Sequence, residues 1–232
     1  QAANNGIFLF FLTFIAFSVY GLLGSRAFFR TQTDIGEIVD YGTDYLFVCT
    51  TFSFALFGQI IFERLLQSTG KTFYAMITQA TGAIVNIILD PIMIFGLLGI
   101  PAMGVKGAAI ATVIGQICGM LLAIWFNLRK NHEIRISFRG FRPDLEIIKK
   151  IYAVGIPSVL MISIGSIMNY FLNRILLSFT ETASAVFGVY FRLQSFVFMP
   201  VFGLNQGVIP IVAYNFGARK KERIVKTLRL SI

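Results

Sequence analysis

The sequence predicts an all-α fold, a polytopic membrane helix bundle with six transmembrane helices. Three observations predict it. Hydrophobic residues make up 56% of the 232 residues and charged residues only 13%, against about 25% charged in an ordinary soluble domain. The apolar residues fall into six long blocks. The basic residues gather at every second connection between those blocks.

The blocks cover residues 6–25, 45–62, 72–98, 107–128, 151–173 and 183–217. Each reaches the roughly 18 to 20 residues that cross about 30 Å of hydrocarbon at 1.5 Å per residue. One buried core helix would explain one block but not six in succession. Barrel strands would be about 10 residues long with strict alternation, and no such alternation is present. The first block has an aromatic early half and ends at Arg26 and Arg30. An outer loop carrying Asp34, Glu37, Asp40 and Asp44 follows, with residues 31–36 as turn material. The second span ends at Glu63 and Arg64. The third begins after Gly70 and Lys71 and holds Pro91, expected to kink it. Residues 97–107, rich in glycine and holding Pro101, read as a tight outer turn. The fourth span opens on Gly107 and carries Gly115 and Gly119, whose fourfold spacing is a helix-packing signal. Around Pro143, Asp144 and Glu146 a helix start is expected, continuing to Lys150 as an amphipathic helix on the cytoplasmic face. The fifth span holds Pro157 near its inner end. The sixth holds Pro200 and Pro210 and is expected to bend or unwind locally.

Net charge is +9, but its placement argues against nucleic acid as partner. Seven Lys and Arg residues lie in 129–150, six in 219–229, and Arg64 and Lys71 flank the short link after the second span. Along six spans these connections share one side, and basic loops stay in the cytoplasm. Both ends of the chain are therefore expected there, in the cell inner (plasma) membrane. Cys49 and Cys118 lie inside spans, too few for a disulfide framework or a metal site, and His132 reads as a loop histidine. The chain starts at Gln1, and residues 226–232 resemble the opening of another apolar segment. The sequence reads as a piece of a longer chain, an entire small protein being the alternative. Residues 129–150 separate two groups of spans, so three parts are expected: 1–128, 129–150 and 151–232.

The sharpest chemical feature is Asp90. A charged side chain inside a span costs roughly 2.5–3.5 kcal/mol on insertion scales, and such residues usually face a cavity or a partner. Asn86 sits one turn earlier on the same face. Two oxygen-bearing side chains beside Pro91 suit a proton or small cation; an interhelical structural pair is the plainer reading. Asn169 and Asn173, one turn apart on the fifth span, and Arg192 on the sixth are candidates for lining a polar path or cavity. Each also has a plain packing explanation. Snorkelling explains Arg174. No acid pair, Ser/His/Asp set, phosphate loop or metal cluster signals an enzyme, and no cofactor is implied.

Two stretches carry a resemblance. Residues 88–116, ILDPIMIFGLLGIPAMGVKGAAIATVIGQ, resemble the fifth-to-sixth helix region of multidrug and toxic compound extrusion (MATE) transporters. Residues 186–223 resemble the family's eighth helix, with Arg192-Leu-Gln, Met199-Pro, Gly203-x-x-Gln-Gly-x-x-Pro and Tyr214-Asn-x-Gly-Ala in order. The resemblance implies a two-lobe, twelve-helix parent, of which this chain would hold the third to eighth helices. It implies an antiporter, with a small organic molecule as substrate and a proton or sodium ion as coupling ion, working as a monomer in the bilayer. Asn86 and Asp90 would fall on the family's first-lobe cation site. The partner acid of the first helix is not in this chain. A lipid-linked oligosaccharide flippase of the same superfamily, or a membrane assembly protein without transport activity, are the competing expectations.

Overall fold

The computed structural model describes residues 2–31, 36–134 and 143–231. It is helical throughout, with no strand among the described residues. The helices are α1 (Ala2–Arg30), α2 (Gly36–Thr51), α3 (Phe54–Ser68), α4 (Thr72–Phe95), α5 (Gly104–Lys130), α6 (Leu145–Phe179), α7 (Glu181–Gly217) and α8 (Lys221–Ser231), with a 3₁₀ turn at Leu97–Gly99. Five of these are long and apolar enough to cross a membrane. The pair α2 and α3, bent by 45° at their break, makes a sixth if it is one span.

The chain divides into two compact units, Gln1–Arg142 and Pro143–Ile232. In the first, α5 is the central helix and packs on α2, α3 and α4, while α1 lies against α2 and α3. The contact of α4 with α5 is the most extensive, and small residues make it so. A Cβ on Gly115 would stand 2.6 Å from the Gly82 carbonyl oxygen, and one on Gly107 2.5 Å from that of Met93. The backbones can therefore approach only where side chains are absent, which is the packing role the glycine spacing predicts. Small apolar clusters fill the rest: Val48, Ala109 and Val113 toward α2, and Leu66, Ala75 and Phe126 at the other end.

That other end is tied by asparagines. Asn127 on α5 donates to the Phe62 carbonyl at 2.8 Å, and Asn131 donates to Asn127 Oδ1 at 3.1 Å. Lys71 Nζ reaches Asn131 Oδ1 at 3.2 Å and Glu133 at 3.8 Å. Asn131 also donates to the Leu65 carbonyl at 3.4 Å, so a carbonyl in the last turn of α3 is paired inside the protein, as an apolar surround demands.

The second unit is built of α6, α7 and α8. Asp144 caps α6, accepting hydrogen bonds from the backbone N–H groups of Glu146 and Ile147, as the expected helix start requires. None of the most apolar stretch of α6 or α7 is buried within the chain.

Four expectations are corrected. Glu37, Asp40 and Asp44 do not lie in a loop: they are within α2, Glu37 in its first turn. Acids near a helix N-terminus are favourable, and exposed Asp40 sits 3.6 Å from Arg26 on α1; Asp34 lies outside the described residues. The segment up to Lys150 is not a separate surface helix but the first turns of α6. Of the two outcomes expected at Pro200 and Pro210, bending or local unwinding, the unwinding does not occur, because α7 is continuous through both. The second span does not end at Glu63 and Arg64, since α3 runs on to Ser68. The basic stretch 135–142 lies outside the described residues.

Candidate cation site

Asp90 and Asn86 are brought together on α4, with Asn86 Nδ2 donating to Asp90 Oδ1 at 3.1 Å. The same amide lies 3.3 Å from the Thr112 hydroxyl oxygen on α5. Thr112 in turn donates to the Ala108 carbonyl at 2.9 Å, so its oxygen is turned to accept from Asn86. Tyr45 on α2 lies within interaction range of Thr112, Cys49 and Asp90. The bonded set is therefore assembled from α4 and α5. Asp90 stands in the last third of α4, and α4 remains helical through Pro91. Proline leaves the carbonyl one turn back without its helical donor.

A polar cavity of about 230 Å³ opens beside Asn86, lined by Gln59 on α3, Gln79, Gly82, Ala83 and Asn86 on α4, and Thr112 and Gln116 on α5. Its walls exist because of the glycine crossing: Gly82 and Gly115 hold α4 and α5 together, and Gly119 leaves room for the Gln59 amide. At the far end stands Glu63, only 4% exposed. Its Oε1 accepts from Gln59 Nε2 at 2.9 Å and lies 2.9 Å from the Thr78 hydroxyl, and its Oε2 accepts from Gln79 Nε2 at 2.9 Å. The ion pairs found among the described residues, Arg26–Asp40 and Lys71–Glu133, do not involve it.

Glu63 and Thr112 are the residues that sequence reasoning missed. Thr112 is 22 residues from Asp90, and nothing local connects them. Glu63 stands next to Arg64, and the pair looks like a hydrated span end. Gln59 one turn earlier on the same face was the available signal.

The remaining candidates belong to the second unit. Asn169 is partly buried on α6, and its Oδ1 is shielded without a hydrogen-bond partner among the described residues. The side chain of Asn173 lies outside the described residues. Arg192 on α7 is exposed and forms no ion pair among the described residues. No cluster of three or more His, Cys, Asp or Glu side chains suited to a metal occurs among the described residues.

The MatE family matches residues 1–92 and 156–232. A multidrug export protein MepA of Staphylococcus haemolyticus is 34% identical over 201 residues, covering 85% of this chain and 42% of that protein. The MepA of Staphylococcus saprophyticus is 32% identical over 233 residues, covering 98% and 48%. Among solved structures, a MATE in complex with MaD3S aligns with a TM-score of 0.87 at 26% identity, covering all of this chain and 52% of the other. An outward-facing multidrug resistance MATE transporter of the MOP superfamily aligns with a TM-score of 0.85, also at 26% identity. The chain spans about half the length of the relatives it matches.

Proposed function

Because the chain belongs to the MatE family, we propose that it is part of a two-lobe secondary antiporter that exports organic compounds in exchange for a proton or sodium ion. Its relatives are multidrug export proteins, which supports a small, amphipathic organic substrate. The observation that carries the coupling assignment is the Asp90–Asn86–Thr112 set, in which an acid inside a span meets an amide and a hydroxyl from two helices beside a polar cavity. An acid inside a span that changes between charged and neutral forms is a means by which ion binding biases a conformational equilibrium.

In this reading Asp90 takes up the coupling ion, Asn86 holds its carboxylate in place, and Thr112 positions Asn86. Ion uptake removes a net negative charge from the interface of α4 and α5 and lets the lobe repack around the crossing at Gly82 and Gly115. The lobes then rock to expose the substrate on the opposite side. Asn169, Asn173 and Arg192 would contribute to the substrate path in the second lobe. The basic connection 129–150 faces the cytoplasm, with both ends of the chain on that side, and the parent works as a monomer.

The cell-based test is Asp90→Asn in the full-length transporter, with drug efflux and its ion dependence measured at matched membrane levels. Efflux should fall and lose its dependence on the ion gradient. Unimpaired coupled efflux would end the assignment.

A further inference from the structure

Glu63 is used by nothing in the scheme above, yet it is the most enclosed acid described in the chain. Burying a carboxylate among apolar helices is costly unless its oxygens are satisfied. Among the described residues they are satisfied by uncharged groups alone: Gln59 on its own helix and Thr78 and Gln79 on α4. The charged neighbours are engaged elsewhere. Arg64 Nη1 donates to Gln67 at 2.7 Å, and Lys71 serves Asn131 and Glu133. On α5 the Asn127 amide is committed to the Phe62 and Ala123 carbonyls. From α1, residues 2–25 contain no charged side chain. A clamp whose only task was to join α3 to α4 would not need a net charge.

The Thr78 hydroxyl shows how the site accepts either state of the acid. It lies 2.9 Å from Glu63 Oε1 and 2.7 Å from the Ala75 carbonyl, and it has one proton to give. When Glu63 is ionised, that proton is donated to Oε1. When Glu63 carries a proton on Oε1, the hydroxyl turns its own proton to Ala75 and accepts from the carboxyl. No buried polar atom is left without a partner in either state, which avoids the roughly 1–3 kcal/mol of an unmade bond. A metal ion fits less well, because hard cations take oxygen ligands and both amides present N–H to the carboxylate.

The route is the cavity. Gln59 and Gln79, which hold Glu63, line one end of it, and Asn86, which holds Asp90, and Thr112, which accepts from Asn86, line the other. At about 30 Å³ per water molecule and with amides on several sides, it suits a short water chain. Thr78 and Asp90 are 12 residues apart on α4, a separation of about 18 Å along the axis at 1.5 Å per residue.

We propose that Glu63 is a second proton-holding carboxylate of this bundle, exchanging protons with the Asp90 end along the polar cavity between α3, α4 and α5. A hydronium ion in the cavity gives its proton to a Glu63 oxygen, leaving water and a neutral carboxyl; release is the reverse, with no change of oxidation state. The proposal rests on the antiport reading and names Glu63 as the exchange point nearer the Lys71 end.

The test uses the full-length transporter in liposomes, with organic-cation transport measured across a pH series. Glu63→Gln should lose the pH dependence while Glu63→Asp keeps it, which a purely structural clamp would not do. Gln116→Leu bonds to neither acid but lines the cavity, and it should slow proton-driven transport even if Glu63→Gln fails to reach the membrane. Infrared titration should show a protonated-carboxyl band missing from Glu63→Gln. A wild-type pH profile in both Glu63→Gln and Gln116→Leu, or an unchanged infrared band in Glu63→Gln, overturns the proposal. Those outcomes leave the Asp90 assignment standing, because that is judged by Asp90→Asn alone.

Discussion

At the residue scale, an uncommon side chain in an apolar span is informative when its partner is local. Asp90 and Asn86 share a helix face at a spacing of four, so their bond was legible before any tertiary structure. Thr112 was not legible, because its place opposite Asn86 depends on how α4 crosses α5. Glu63 was misread because Arg64 follows it and a charged pair commonly marks a span end; only the continuation of α3 to Ser68 places it inside. The Thr112 contact can be weighed directly. Thr112→Val keeps the shape and removes the acceptor for Asn86. Interhelical hydrogen bonds in membranes average about 0.6 kcal/mol, so a loss of that order is expected in a detergent unfolding titration. Coupled efflux should weaken less than in Asp90→Asn, since the carboxylate itself remains.

At the element scale, the six apolar blocks identify the spans well because length and hydropathy are properties of a segment alone. Breaks and boundaries were less legible. The acidic residues of α2 suggested a loop because they interrupt hydropathy, yet charge on an exposed helix face is compatible with helix, and Arg26 lies beside Asp40 there. The crossing of α4 with α5 is the element on which the site depends. Gly115→Leu should force the helices apart, since even a Cβ there would meet the Gly82 carbonyl oxygen at 2.6 Å. Overpacking typically costs about 1–3 kcal/mol, so a clear drop in thermal unfolding temperature in detergent is expected. Gly165→Ala on α6 is the control: nothing lies within 4 Å of its added Cβ. There the change should be neutral or stabilising by about 0.4–1 kcal/mol.

At the scale of the whole molecule, the two units have different surfaces. The first buries 39% of the most apolar stretch of α5 within itself, while α6 and α7 bury none of theirs. Such apolar exposure belongs in lipid or against other helices. The distribution of Lys and Arg adds a direction to this. With Cys49 and Cys118 replaced, Lys130→Cys should react with a membrane-impermeant maleimide only after the cytoplasmic side is opened. Labelling in intact cells would reverse the proposed topology. The most direct test of the central claim, that Asp90 couples ion movement to export, is transport by the full-length protein in liposomes under an imposed proton or sodium gradient. The account predicts gradient-driven movement of a fluorescent organic cation by the wild type and none above the protein-free background by Asp90→Asn. Equal gradient-driven transport by Asp90→Asn would contradict it.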